Sequence, residues 1–479
     1  MCARPGPEAL AALNYERENM GAQRLLNGIL PPMGADEDVF DPRPIEDGEL
    51  PWIRVRHIWT GTMGNAYATF LGPTGVYFTF FCFASGMSKY QLGIMSAMLS
   101  LTVIAQMFSW VFEKRFGNRK YPWYIFSVAS RLCFVPIVLS FWIPLGPVSI
   151  IALCCISSVL SNLAAPSWQS WLYDMIPQSQ LPHFMSRRQA VIHFVLMALA
   201  VFAAMAMEGA DDERKMAVVR WVFAFGLALG IIDLVFHVRI PEPAAKQEGP
   251  RRTDFIRTVL KPLSSRRFRL WVMAMSLWAL GTNISGPFCI PYMMKDLGYE
   301  ARFVALTLIT ICLYRVSGFA SLLFCGRAVK AAGSAGVLAI SYGVWALIPA
   351  IYMLSGWWWP DLFMIAAWFM AGIGVNCAIV AGDVMVSGLT ANGSLDSGEN
   401  RSTYLAALTI CTAACNALGT LAGSLIVKYF TIWHTFPVSL AARLLSLGLI
   451  CAMIASAGLW RWLPVPAAGG YAESKQGEV

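Results

Sequence analysis

Charge is what this chain has least of. Only 13% of its 479 residues are Asp, Glu, Lys or Arg, about half the ~25% of an ordinary soluble domain. The stretches Met95 to Phe112, Val148 to Leu163, Ile192 to Met207 and Val337 to Leu354 carry no Asp, Glu, Lys or Arg. A helix of a soluble protein keeps a polar stripe, so a large water-soluble core is excluded and lipid is the expected solvent. Histidine is scarce as well, with five in the chain. That argues against the clustered ligands a zinc site needs, and neither a metal nor a cofactor is expected. The twelve cysteines fall mostly inside apolar runs, as Cys154-Cys155 and Cys411 with Cys415 do. Buried helical thiols behave as small apolar groups, so no disulfide framework is expected. The chain lacks a Gly-rich loop followed by Lys-Ser or Lys-Thr, which argues against an ATP-driven pump. It also lacks a basic start leading into an apolar run and a small-residue cleavage site, so no cleaved signal peptide is expected.

What the chain has instead is about twelve long apolar runs between residues 58 and 463. Each approaches the ~20 residues that cross ~30 Å of hydrocarbon at 1.5 Å per residue. The expected spans are 58–84, 90–112, 121–143, 147–172, 188–208, 217–238, 269–294, 302–326, 335–355, 361–389, 402–430 and 436–460. The second six echo the first six. Arg220 precedes a run that closes on Ile240-Pro241-Glu242-Pro243, and Arg443 precedes one that closes on Leu463-Pro464-Val465-Pro466, a constant shift of 223. Asn65 and Pro73 map to Asn283 and Pro291 at a shift of 218, and Asn162 and Gln169 map to Asn376 and Asp383 at 214. Two repeated halves with broken helices near the middle are the pattern of a secondary transporter, with its site where the halves meet.

The expected organisation is a flexible acidic tail over 1–55, a six-helix bundle over 56–240, a basic linker over 241–267, a second bundle over 268–463 and a tail over 464–479. The first fifty residues hold four arginines and ten acids, a net −6 that leaves +14 on the rest. If that tail is cytoplasmic, the inner loops and flanks hold 22 basic residues against six outside, as the positive-inside rule requires. Both termini are therefore expected in the cytoplasm and the chain in the inner membrane. The basic balance needs no nucleic acid, because loops beside an anionic leaflet account for it. Trp357-Trp358-Trp359 reads as an interfacial anchor.

Several segments resemble the major facilitator superfamily, over roughly residues 56 to 466. Arg115-Phe116-Gly117-Asn118-Arg119-Lys120 looks like the core of that family's loop between the second and third helices, although Lys114 separates Arg115 from Glu113. The later loop keeps Gly326, Arg327, Lys330 and Gly333. Trp168 to Pro177, with Phe184 and Arg187-Arg188, resembles a fourth-helix ending of bacterial members, and Glu399 to Tyr404 resembles the segment before the eleventh helix. The fifth span has no glycine and the sixth ends Arg239-Ile240-Pro241-Glu242-Pro243, unlike drug/proton antiporters and sugar porters respectively. The resemblance implies an all-α membrane protein whose helices form two pseudo-symmetric bundles around a cavity. It also implies a gating loop over Glu113, Arg115, Gly117, Arg119 and Lys120, for which a purely topological role is the competing reading.

Polar groups inside apolar spans are costly unless they face a cavity or a partner. The candidate substrate contacts are Asn65, Arg131, Asn162, Gln169, Asn283, Arg315, Asn376 and Asp383. For the amides the competing reading is helix–helix glue. Asp383 is the preferred coupling carboxylate and Asp233 the second, since a carboxylate in low dielectric can alternate between charged and neutral. Arg315 is expected to pair with Asp383 or to hold an anionic head. The expected function is alternating-access transport of a small organic solute, open to proton drive, by a monomer in the bilayer. A lipid or lipid-linked cargo is the alternative, with a polytopic membrane enzyme or sensor further off.

Overall fold

The computed structural model describes residues 42–43, 47–116, 118–176, 181–243, 261–264, 266–357, 359–391 and 401–455, without the side chains of 383–391 and 401–406 among others. Most of the expected N-terminal tail, most of the linker and the C-terminal tail lie outside those residues, as do Gly117, Trp358 and the Asp383 side chain. Helix α1 runs Leu50–Leu71 and resumes as Val76–Ala84. It begins inside the stretch assigned to the tail, with Pro51 in its first turn, where a missing N–H costs nothing. Helices α2 to α6 follow as Lys89–Glu113, Lys120–Leu139, Pro147–Met175, Leu181–Met207 and Asp212–Val238. Helix α7 covers Arg266–Ser285, and α8 to α12 are Phe303–Cys325, Gly333–Ser355, Pro360–Ala391, Arg401–Tyr429 and Thr435–Ala455.

Ten of these elements are long and apolar enough to cross a membrane. The two outside that set, α1 and α7, share one pattern, an asparagine followed eight residues later by a proline, Asn65 with Pro73 and Asn283 with Pro291. After Leu71 the chain turns through Gly72 to Gly75 around Pro73. After Ser285 it passes through a 3₁₀ turn at Gly286–Phe288 and a π turn at Tyr292–Asp296 around Pro291. Proline removes a donor and clashes with the preceding turn, so both breaks have the same cause. Helix ends elsewhere carry local signals. Ser88 and Gln91 form a reciprocal capping box at the start of α2, and Asp211 accepts from the Arg214 N–H at the start of α6.

Packing repeats between the halves. Helix α1 lies against α5 and α6, and α7 lies against α11 and α12, while α3 pairs with α4 as α9 does with α10. The halves meet along α2 with α11 and α5 with α8. A shift of six helices turns the first of these contacts into the second, so the interface itself is pseudo-symmetric.

The apolar cores are distributed unevenly. One cluster joins both halves and includes Tyr77, Phe81, Met95, Leu196, Phe288, Phe303 and Tyr352. Two others belong to one half each: Ile53, Trp123, Trp171, Met175 and Leu234 in the first, and Trp271, Trp278, Val329, Leu338 and Ile450 in the second. The shared cluster lies toward the end of the molecule that carries Lys89 and Asp296. The separate clusters lie toward the end that carries the basic loop of Arg115 to Lys120.

Candidate functional site

At the loop end, the first half lines an open cavity of about 200 Å³. Helix α1 contributes Asn65 and the small residues Thr60, Gly61 and Gly64; α3 contributes Trp123 and Arg131; α4 contributes Trp168. Arg188 of α5 and His237 of α6 complete the wall. The two glycines let these neighbours approach closely. A Cβ at Gly61 would strike the Arg188 guanidinium, and one at Gly64 would crowd the Asp233 carboxylate.

A charged network lies behind this wall. Arg131 Nη2 meets Asp233 Oδ2 at 2.6 Å, and Arg131 Nε donates to the Gly230 carbonyl at 2.8 Å. The other carboxylate oxygen, Oδ1, is 2.8 Å from His237 Nδ1, which is also 3.1 Å from the Asp233 carbonyl oxygen. The Trp168 indole N–H donates to His237 Nε2 at 3.3 Å. Asp233 and His237 are each 3% exposed, so the network is held away from bulk water. Buried charges persist only when matched and hydrogen-bonded, and the arginine supplies that match.

The sequence-selected residues occupy different settings. Asn65 reaches the cavity, while its Nδ2 donates back to the Gly61 carbonyl at 2.7 Å. Arg131, expected to engage charge on a solute, is matched within the protein by Asp233. Asn162 joins α2 to α4, donating to Thr102 Oγ1 at 3.1 Å and accepting from Gln106 Nε2 at 2.8 Å. Asn283 donates to Asn416 Oδ1 at 2.6 Å and so joins α7 to α11. Asn376 donates to the Gly372 carbonyl at 2.8 Å and packs on Gly318. Gln169 is exposed beside Trp168.

Arg315 does not share a level with Asp383. It lies next to Tyr314, whose carbonyl packs against Gly372. Asp383 is eleven residues beyond Gly372 on the same helix, a rise of about 16 Å. The partner of Arg315 is His193 of α5, with Nη1 2.7 Å from Nδ1. Arg443, the echo of Arg220, is 3% exposed and donates to the Trp345 carbonyl at 2.9 Å.

The basic loop is anchored within its own half. Glu242 accepts the backbone N–H groups of Arg119 and Lys120 at 2.7 and 3.0 Å, and its Oε1 is 3.5 Å from Arg119 Nε. A carboxylate against free N–H groups at the start of α3 is favoured by both hydrogen bonding and the helix dipole. The Trp171 indole donates to the Pro241 carbonyl at 2.9 Å, fixing the segment that carries Glu242. A two-residue parallel pairing of β1, Pro42–Arg43, with β2, Glu242–Pro243, covers it. Glu113 accepts from Ser167 Oγ at 2.6 Å rather than facing an arginine across the interface, and Arg115 is exposed.

Sequence reasoning passed over His237, Arg188 and Glu242 as site residues. A signal existed for the first, because Asp233 and His237 are four apart and share a helix face.

A family model described as Major Facilitator Superfamily matches residues 58–313, more than half of the chain. No curated protein matches the chain by sequence. Solved structures match across the fold. A variant of the nucleoside transporter NupG has a TM-score of 0.65 at 10% identity, covering 84% of this chain and 99% of that one. A bacterial metal transporter gives 0.57 at 12% identity, with 85% and 98% covered. The human organic anion transporter MFSD10 (TETRAN) gives 0.53 at 14%, with 85% and 100% covered. At these identities the likeness concerns the fold alone.

Proposed function

This chain belongs to the Major Facilitator Superfamily, and from that membership we propose that it carries a small polar organic solute by alternating access. It is a multi-pass membrane transporter, a carrier rather than an enzyme. The observation that carries the mechanistic reading is the uneven core. The halves share one apolar cluster at the Lys89 end and keep separate clusters at the basic-loop end. Ion pairing and capping reinforce the shared end: Lys89 meets Asp296 at 2.9 Å, and Glu208 accepts the Val304 N–H at 2.7 Å, each across the halves. A carrier closed at one end and parted at the other presents its site to one side only. Rocking of one half on the other then exchanges sides.

The basic loop sets the orientation. Its lysines and arginines favour the cytoplasmic face, so the parted end opens inward and both termini lie in the cytoplasm, with the chain in the inner membrane as a monomer. The three structural relatives are named for a nucleoside, a metal and organic anions, so the fold does not choose the cargo. The lining does narrow it. Amide, hydroxyl, indole, imidazole and guanidinium groups around about 200 Å³ suit a compact polar solute, in a space below the roughly 300–1,000 Å³ of drug-sized pockets. Proton drive is favoured by the buried titratable groups at Asp233 and His237.

Purified protein reconstituted in liposomes tests this reading. A panel of compact polar solutes is first screened for a rise in melting temperature, since binding stabilises by mass action. The solutes found are then followed into vesicles with and without an imposed pH difference. Accumulation above equilibrium with acid outside supports a proton-coupled carrier. Entry that never exceeds equilibrium removes the coupling, and the absence of both binding and entry removes the solute class.

A further inference from the structure

We propose that His237 carries the coupling proton of this transporter and that Trp168 converts its protonation into movement of the pocket wall, a reading that rests on the transport function above. The hydrogen-bond geometry assigns the proton on the imidazole. Nδ1 hydrogen-bonds the Asp233 carbonyl oxygen at 3.1 Å, so it bears the hydrogen; Asp233 Oδ1 lies 2.8 Å away but makes no hydrogen bond with it. Nε2 faces the Trp168 indole N–H at 3.3 Å. An indole nitrogen only donates, so Nε2 must accept and is unprotonated. Both ring nitrogens are thus occupied by a neutral histidine in one tautomer.

Protonation breaks this arrangement at one defined atom. A hydrogen on Nε2 would point at the hydrogen on Trp168 Nε1, and two donors cannot share that space. Trp168 has to leave. Its ring lines the cavity and is packed under the Arg188 guanidinium, 5.3 Å from the ring centre, so its departure changes the wall that a solute meets. A solute oxygen or nitrogen lone pair placed where the indole was can accept the new Nε2–H. Proton uptake and solute binding therefore favour one another, which is the requirement for coupling. The proton arrives from water on one side, resides on Nε2, and returns to water on the other side when the solute leaves.

The charges around the ring set the direction of the effect. Asp233 on the same helix faces the ring, and Arg131 of α3 pairs with that carboxylate at 2.6 Å. His57 of α1, with ring centres 5.8 Å apart, Arg188 of α5 over Trp168 and Lys120 of α3 over Trp171 oppose a further positive charge. Arg239 closes the same helix. Trp123 at 4.7 Å and Trp171 at 6.0 Å supply the remaining packing.

The experiment reads the tryptophan directly and needs no solute. Tryptophan fluorescence of the purified full-length protein is titrated from neutral to acid pH, and the W168F signal is subtracted to isolate Trp168. A reversible acid change in that difference is expected for the unmodified protein, for H57Q and for H193Q, and none for H237Q. An unchanged titration in H237Q, or no Trp168 change in the unmodified protein, overturns the proposal. Because H237Q can fail to fold, W168F provides a second arm through histidine resonances followed by NMR. Removing the indole donor should raise the midpoint of the His237 resonance by about half to one pH unit, and an unshifted midpoint overturns the proposal. These readouts stand even if no transported solute is found, so failure of the transport reading and failure of the switch remain distinguishable.

Discussion

Arg315 of α8 places its Nη1 2.7 Å from Nδ1 of His193 on α5, joining the two halves. Arginine has no lone pair to offer, so His193 Nδ1 is the acceptor and the hydrogen of its neutral ring lies on Nε2. The contact exists while His193 is neutral. Protonation turns a donor–acceptor pair into two facing cations, so the link is present at higher pH and lost as pH falls through the titration of His193.

Double-mutant analysis measures that link. H193A and R315A should each lower the melting temperature, and the double variant should fall short of their sum by about 1 kcal/mol, a charge-assisted bond discounted for partial exposure. H193Q keeps an acceptor without a titrating ring, so its cross-half coupling should persist into acid. Additive effects in the cycle would show that the two residues do not act together.

The Arg131–Asp233 pair should behave as a matched buried charge. D233N leaves the guanidinium uncompensated and is expected to cost about 2–4 kcal/mol in denaturation of the purified protein. Replacing both residues with methionine removes both charges and should recover most of that loss while leaving transport impaired. Equal stability of D233N and the unmodified protein would mean that water, not Asp233, solvates Arg131.

Glu242 caps α3 from a distant part of the chain. E242A should expose the amides of Arg119 and Lys120 to hydrogen exchange and cost about 1–2 kcal/mol, the range of a lost charged cap. E242Q retains acceptor capacity and should protect those amides partly. Exchange confined to residues near 119–123, with the rest of α3 unchanged, separates a lost cap from general unfolding.

Which features can be read from sequence follows from their range. Helices, halves and the breaks near Pro73 and Pro291 depend on local composition and on proline chemistry, so they are visible in the sequence. The network at Asp233 is not, because it needs the rotation of α3 and α4 about their axes. Nothing local says that Trp168 points at His237 rather than at lipid. Arg315 and Asp383 looked like partners because both lie within apolar spans, yet helix rise separates their levels by about 16 Å. Glu242 looked like part of a linker signature, and its role as a cap depends on a contact with a loop more than a hundred positions earlier. The echo of Asn162 in Asn376 reflects the repeat, but one amide joins two helices through a chain of hydroxyls and amides while the other bonds its own helix.

Packing between α2 and α11 at the Lys89 end leaves room only for a glycine at position 93. Gly93 of α2 faces Ser424 of α11 and Phe288 beyond α7, and a Cβ there would collide with the Ser424 hydroxyl and the Phe288 ring. Ser424 cannot yield easily, since it is fully buried and its hydroxyl donates to the Thr420 carbonyl at 2.7 Å. Overpacking of this kind costs about 1–3 kcal/mol. That cost falls on the conformation in which α2 and α11 touch and spares the one in which they part. G93A should therefore shift the equilibrium roughly tenfold or more toward opening at this end. Cysteines at Lys89 and Asp296, whose side chains meet at 2.9 Å, report on it through a short bifunctional thiol reagent. Crosslinking in K89C/D296C should be fast, and adding G93A should slow it in proportion to the closed population lost, while the protein stays monodisperse. Crosslinking at an unchanged rate would mean that the helices absorb a methyl group without parting, and that contact between α2 and α11 does not set the closed state.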